Sequence, residues 1–136
     1  MDSFPLHAQY LGAFAGYFAL AIGLLWLFCL IYTWVTPHDE LALIRQNNIA
    51  ASLAFGGALL GFALPMASAV ANSMNWLDAA AWGLVALLVQ LLTFKALQWL
   101  LGELSARITR DEMAPGLFVG LASVAVGLLN AACMTY

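Results

Sequence analysis

The chain has 136 residues, of which 65% are hydrophobic and 8% are charged. A soluble domain carries roughly 25% charged residues, so this composition excludes an ordinary soluble protein and indicates a membrane protein. The formal net charge of −3 argues against nucleic acid as a partner. We therefore expect a single all-α membrane domain over residues 1–136, in contact with the lipid bilayer.

Four apolar stretches predict four transmembrane helices. Each is long enough to cross roughly 30 Å of hydrocarbon. In chain order they cover residues 10–34, 49–71, 79–101 and 113–134. The second and third are joined by a short turn over residues 73–78, whereas two longer charged connections, residues 36–48 and 102–112, follow the first and third. We call these two connections the first and second elbows.

The first elbow has the pattern of a helix start. Thr36 is suited to the N-cap, Pro37 to the first helical position, and Asp39 and Glu40 to the first turn. The segment up to Gln46 is amphipathic, which predicts a short helix at the membrane interface. In the second elbow, we expect Glu103 and Arg107 to pair at a spacing of four residues.

Small residues dominate the second and fourth spans. In a bilayer, helices associate through close backbone approach, which small side chains permit. We therefore expect these two helices to pack centrally. The predicted helix-packing residues are Ser52, Gly56, Gly57, Gly61, Gly116, Gly120 and Gly127.

Basic residues predict the orientation. Arg45 lies in the first elbow, Arg107 and Arg110 lie in the second, and Lys95 lies near the same end of the third span. Because Lys and Arg favour the cytoplasmic side, both elbows should be cytoplasmic and both termini periplasmic. Aromatic residues agree, with Tyr10, Trp76 and Tyr136 at one boundary and Trp34 and Trp99 at the other.

An offset of 64 residues aligns the two halves of the chain. It brings Asp39 onto Glu103, Ala50 onto Ala114 and Gly56 onto Gly120. Each half has the same plan of a large-residue helix, a charged elbow and a small-residue helix. We predict two parallel helical-hairpin repeats, at about residues 10–72 and 79–135.

Several stretches resemble the YjfL-type family of small bacterial inner-membrane proteins. The resemblance is carried by the runs TPHDE (36–40), NIAASLAF (48–55), LG (60–61), AWG (81–83), QLL (90–92) and NAACMT (130–135). It implies a four-span protein of the inner membrane, built from two copies of a short domain of unknown function. It also implies a genomic setting that sometimes includes phage-shock-type membrane-remodelling proteins.

A few polar residues are candidates for a pore or polar network, namely Asn47, Asn48, Gln90 and Asn130. Each also has a structural interpretation, because amides commonly cap helices or hydrogen-bond between them in membranes. Lys95 is a candidate functional group, although its long side chain can extend to the headgroups. The candidate cytoplasmic contact residues are Asp39, Glu40, Arg45, Glu103, Arg107 and Arg110.

The sequence offers no pattern for catalysis. We find no metal-ligand spacing, nucleophile–base pair or phosphate-binding loop, and we expect no catalytic residue, metal or cofactor. Cys29 and Cys133 fall near opposite ends of their helices, too far apart for a disulfide. His38 has no partner at metal-ligand spacing, and a structural role is favoured.

Two functional hypotheses follow. The leading one is a non-enzymatic, homo-oligomeric pore or path for an ion or small solute, in which several subunits enclose the path. The alternative is a structural or recruiting membrane protein whose elbows dock a cytoplasmic envelope-stress or membrane-remodelling partner.

Overall fold

The structure is a computed structural model that describes residues 4–134, with side chains from His7 to Met134. Within this range the chain forms six helices: α1 (Phe4–Val35), α2 (Glu40–Arg45), α3 (Ile49–Asn72), α4 (Trp76–Leu101), α5 (Leu104–Thr109) and α6 (Met113–Cys133). The predicted boundary residue Tyr136, the Thr135 of the family motif and the end of the predicted second repeat lie outside the described residues.

Four of these helices are long and apolar enough to cross a membrane. The spanning segments are His7–Val35, Ile49–Asn72, Trp76–Leu101 and Met113–Cys133. They confirm the all-α fold with four spans. The third span begins three residues earlier than predicted, because the Asn75 side chain accepts a hydrogen bond from the Asp78 amide and caps the helix.

The helices α3 and α6 form the centre of the bundle, with their backbones in direct contact. A Cβ atom at Gly116 would lie 2.5 Å from the carbonyl oxygen of Ala50, and one at Gly127 would lie 2.6 Å from the Cα of Gly61. Gly57 and Gly120 meet in the same way. Only glycine permits this approach, so these positions fix the separation of the two helices.

Two of the predicted packing residues lie elsewhere. Ser52 and Gly56 are exposed, and a Cβ at Gly56 would meet no atom within 4 Å in the described part of the chain. The prediction that they pack in this bundle is therefore wrong. The helix α3 carries two small-residue faces, and among the described residues only the face with Gly57 and Gly61 packs against another helix.

An aromatic cluster holds the elbow half of α1 to the bundle. The Phe28 ring stacks on Phe62 at 4.8 Å, and the Tyr32 ring lies 5.6 Å from Phe55 and 5.4 Å from Phe94. These contacts join α1 to both α3 and α4. They bury Phe28 and Tyr32 near the end of α1, directly before the first elbow.

The other half of α1 stands away from its neighbours. Phe14 and Phe18 are 66% and 56% exposed, and a Cβ at Gly12 or Gly16 would meet no described atom within 4 Å. The separation leaves an apolar groove of about 590 Å³ between α1 and α3. Ala63 and Ala67 of α3 lie in its wall. The groove therefore adjoins the unused small-residue face of α3.

The two elbow helices have matching bounds. Both α2 and α5 have six residues, α5 begins 64 residues after α2, and α6 begins 64 residues after α3. The residue before the N-cap of the following helix, α3 or α6, is left-handed in both cases, with φ of 66° at Asn47 and 59° at Asp111. These elements recur at the 64-residue spacing of the predicted repeat. The parallel arrangement of two hairpins stays a prediction.

Candidate functional site

The first elbow turns around a buried carboxyl group. Asp39, rather than Thr36, is the N-cap of α2, and its carboxylate accepts from the Ala42 amide at 3.2 Å. The extended backbone at Asp39 turns the next side chain inward, and Glu40 is only 1% exposed. Thr36 donates its hydroxyl hydrogen bond to Glu40 Oε1. The prediction of Thr36 as the cap is wrong, because its hydroxyl serves the buried carboxylate instead.

His38 links this carboxyl group to the second elbow. Its Nε2 lies 3.3 Å from Glu40 Oε1, and its Nδ1 lies 3.0 Å from the hydroxyl oxygen of Ser105. The side chain is 4% exposed, and its ring lies 6.3 Å from the Phe94 ring. The structural role predicted for His38 is therefore a connection between α2 and α5. Among the described residues, no group of three or more His, Cys, Asp or Glu side chains is placed to hold a metal ion.

Burial shifts the pKa of both groups. It raises the pKa of Glu40 to about 7, partly opposed by the hydrogen bond from Thr36. It lowers the pKa of His38 below its ordinary value, against a smaller opposite effect of Asp39. A buried environment favours the neutral form of each group. Near neutral pH, the His38 ring is therefore neutral and the Glu40 carboxyl is close to the midpoint of its titration.

A second junction joins the elbows at the start of α3. The Asn48 side chain caps α3 by accepting from the Ala51 amide at 2.8 Å. Its amide nitrogen also donates to the carbonyl oxygens of Ile108 and Thr109, at 2.9 and 3.2 Å. One amide thereby serves the N-terminus of α3 and the C-terminus of α5, where backbone groups lack helical partners. Asn48 therefore caps α3, as predicted.

Asp111 provides a further bond at this junction. Its carboxylate accepts a hydrogen bond from the Ala50 amide at 2.9 Å. The two elbows therefore lie side by side at one end of the bundle, which we call the elbow end. Asp111 was missed by sequence reasoning, because a single Asp between two charged residues resembles a solvated loop.

The second elbow displays an ion-pair cluster on its surface. Glu112 accepts from Arg107 Nε at 3.0 Å and lies 2.9 Å from Arg110 Nη2. These hydrogen bonds lower the pKa of Glu112, with Arg107 the larger cause. The predicted Glu103–Arg107 pair is absent from the ion pairs of the described residues. Glu103 instead occupies a left-handed conformation at φ 49°.

The predicted contact residues divide by exposure. Asp39, Arg45, Glu103 and Arg110 are exposed and Arg107 is partly so. Glu40 is buried, so the prediction that it contacts a partner is wrong. The charge pattern alone placed Glu40 on a solvated face; its alignment with an apolar residue, Leu104, at the 64-residue offset was the signal that could have corrected this.

The predicted polar network is dispersed through the bundle. Gln90 is buried and donates to the Ser123 carbonyl at 3.1 Å, whereas its Oε1 has no hydrogen-bond partner among the described residues. Asn130 is partly buried on α6, and Asn47 is exposed at the elbow end. The structure does not bring these residues together with Asn48 in one place. A shared path would have to involve more than one copy of the chain.

The fold and the elbows define a multi-pass membrane protein with four spanning helices. The sequence pattern of the family described as "Domain of Unknown Function (DUF350)" matches residues 5–134. The chain belongs to this family, as the sequence resemblance predicted.

Named relatives agree with this assignment. The chain is 44% identical over 124 residues to the "UPF0719 inner membrane protein YjfL" of Escherichia coli (strain K12), covering 91% of this chain and 94% of the relative. It is 25% identical over 120 residues to the "UPF0719 transmembrane protein YshE" of Bacillus subtilis (strain 168), covering 87% and 90%. No solved structure matches the chain significantly.

Proposed function

We propose that the chain is a non-enzymatic subunit of a homo-oligomer that provides a path for an ion or small solute across the inner membrane. The name of the E. coli relative supports the inner-membrane location. The distribution of basic residues supports cytoplasmic elbows and periplasmic termini. The observation that carries the proposal is the second small-residue face of α3, which is left open.

This face has the properties of a helix-packing surface without a helix on it. Ser52, Gly56 and Ala67 are exposed on α3, and the adjoining groove is bordered by α1, whose own Gly12 and Gly16 are open. Small residues promote close helix association in lipid, where burial of apolar side chains contributes little. A helix of a second copy fits this surface, because the contact between α3 and α6 already shows the same residue types in use.

The path is assigned to the boundary between copies because the centre of each copy is closed. Gly57, Gly61 and Gly127 bring the backbones of α3 and α6 into contact and leave no opening between them. Four spans enclose little volume, so several copies are needed to surround a path.

Neighbouring glycines on α3 provide a matched test. Gly56→Leu adds a side chain to the open face, so the protein should fold but lose self-association. Gly57→Leu adds the same side chain at the contact with Gly120, so it should prevent folding, since overpacking costs about 1–3 kcal/mol or more. Reconstituted wild-type protein should release a trapped ion or small solute, and Gly56→Leu should not. Release no faster than from empty vesicles, for every ion and solute tried, would contradict the path.

A second candidate function is docking of a cytoplasmic protein at the elbow end. The observation that favours it is the exposure of four charged residues of the two elbows, Asp39, Arg45, Glu103 and Arg110. A photo-crosslinker at Arg110 should capture a membrane-remodelling or envelope-stress protein, with Trp76 at the opposite end as the control position. Capture of lipid or of the chain itself at both positions would contradict docking.

A further inference from the structure

The buried carboxyl group of the first elbow has an unused oxygen. Glu40 Oε1 receives Thr36 and approaches His38, while Oε2 is buried without a hydrogen-bond partner among residues 7–134. Buried polar atoms are nearly always hydrogen-bonded, and an unpaired carboxylate oxygen is especially unfavourable. Addition of a proton to the carboxylate removes the buried charge. The geometry therefore suits a carboxyl group that gains and loses a proton.

A polar crevice gives a proton access to this group. The crevice has a volume of about 490 Å³, opens at the elbow end, and has Thr33, Thr36, His38 and Asp39 among its lining residues. Thr36 and His38 are the two side chains that also contact Glu40 Oε1. Protons can therefore reach the buried carboxyl group through its own hydrogen-bond partners.

Among the described residues, Glu40 forms no ion pair with a Lys or Arg side chain, and Arg107 of α5 is paired with Glu112. The helix α1 contributes Tyr32, and the first elbow contributes His38 and Asp39. The helix α4 contributes the Phe94 ring beside His38, while its neighbour Lys95 is exposed. The helix α5 contributes the Ser105 hydroxyl. Without an ion pair to Lys or Arg, protonation is the way to neutralise the carboxylate.

We propose that Glu40 is a proton-binding site, reached through this crevice, and that its proton reverses the direction of the hydrogen bond between His38 and Ser105. The inference concerns a proton ligand and does not depend on the path through an oligomer. With Glu40 ionised, His38 Nε2–H donates to Oε1 and the Ser105 hydroxyl donates to Nδ1. With Glu40 protonated, its O–H donates to Nε2, and Nδ1–H donates to the Ser105 oxygen. One proton is taken up from water, and the neutral ring changes only its tautomer.

This reversal connects proton binding to the contact between elbows. Ser105 belongs to α5, so the direction of its hydrogen bond to His38 reports the charge of Glu40 to the second elbow. When Glu40 is protonated, the Ser105 oxygen accepts from Nδ1–H, and the Ser105 hydroxyl hydrogen is free to donate to another acceptor.

Infrared difference spectroscopy of the protein in lipid nanodiscs tests the site. Between about pH 5 and about pH 9, a range in which ordinary carboxyl groups stay ionised, a buried protonated carboxyl band should lose half its intensity at about pH 7. The band should be absent in Glu40→Gln and retained in Glu112→Gln. A wild-type chain without the band, or an unchanged band in Glu40→Gln, would overturn the proposal.

Two further measurements keep the outcome decisive. Nitrogen-15 NMR of His38, in a His7→Gln background, should show the proton moving from Nε2 to Nδ1 with the same midpoint as the infrared band. In Ser105→Ala the band should persist while the preference for the Nδ1 tautomer is lost, so this variant serves if Glu40→Gln does not fold. A midpoint that shifts when sodium replaces choline would overturn the assignment of a proton in favour of a metal cation.

Discussion

The first and second elbows each contain a short helix of the same length, but the interiors of the two elbows differ. Each contains a six-residue helix, with a left-handed residue two positions beyond the end of that helix. The equivalent buried positions are Glu40 in α2 and Leu104 in α5. These side chains are 1% and 0% exposed. The second elbow therefore forms a helix of the same length around leucine, without a buried carboxyl group. The residue before the helix is extended at Asp39 and left-handed at Glu103, so the chain enters the two helices differently.

The elbows also differ in how they join one another. Asn48 reaches across to the carbonyl groups of α5, whereas Glu112, 64 residues later, faces Arg107 and Arg110 at the surface. The junction therefore has one buried amide on one side and an exposed ion-pair cluster on the other. We expect substitutions at equivalent positions to have unequal effects.

The largest effect should follow from exchanging the buried residues. Leu104→Glu places a carboxylate in an apolar site, and an uncompensated buried charge costs about 3–5 kcal/mol. Glu40→Leu makes the first elbow resemble the second and should leave the protein folded. Denaturant unfolding in detergent measures both free energies. If Leu104→Glu unfolded at the wild-type midpoint, the two interiors would be equivalent and the comparison would fail.

The next effect should come from the junction itself. Asn48→Ala removes a helix cap and leaves the carbonyl groups of α5 without their donor, which together should lower the free energy of unfolding by about 2–3 kcal/mol. Glu112→Ala removes exposed ion pairs that salt screens, and its unfolding midpoint should stay at the wild-type value. Equal losses in the two variants would show that the junction is symmetric.

A smaller effect should be the pH dependence of the free energy of unfolding, which arises from Glu40 and His38 of the first elbow. The pKa of Glu40 is raised to about 7 in the folded protein, so its favourable contribution is fully present below its ordinary pKa and is lost as pH rises through about 7. The lowered pKa of His38 acts oppositely, because folded protein loses stability as pH falls below the ordinary histidine value.

The Glu40→Leu variant isolates the first of these contributions. Wild-type protein should lose about 1–2 kcal/mol relative to Glu40→Leu between about pH 5 and about pH 9. The same denaturant series at each pH measures the difference. A constant difference across this range would contradict a titrating Glu40.

The smallest effect should separate the two left-handed residues. Asn47 and Asp111 both have positive φ, so glycine relieves the backbone strain at either position. Only Asp111 bonds across the junction, through the Ala50 amide. Asp111→Gly should therefore be less stable than Asn47→Gly by about 1 kcal/mol. Thermal unfolding of the two variants side by side measures this difference. Equal midpoints would show that the hydrogen bond between Asp111 and Ala50 makes no net contribution to the free energy of unfolding.

Local sequence patterns were sufficient for the spans and for part of the central packing. Long, predominantly apolar runs indicate α1, α3, α4 and α6, and the glycine spacing of α6 correctly indicates close contact with α3. The pattern did not reveal which of the two small-residue faces of α3 packs against α6. Gly56 and Gly57 are the same residue type on neighbouring faces of one helix, and the sequence does not distinguish these faces. That choice depends on the position of α6, which is a tertiary fact.

The buried polar site was less accessible to sequence reasoning. A Glu in a charged segment resembles a solvated residue, and the partners that bury Glu40 come from α1 and from the adjoining turn. Ser105, which completes the His38 connection, lies 67 positions away. Such a site depends on the meeting of the two elbows, so no local pattern specifies it.

A path between copies requires that another copy of the chain covers the open face of α3. Native mass spectrometry of the protein released from nanodiscs, with bound lipid retained, measures the number of copies directly. We predict a closed ring of several copies for the wild type and single copies for Gly56→Leu. A wild-type particle that contains one copy, with the groove between α1 and α3 occupied only by lipid, would contradict the proposed assembly.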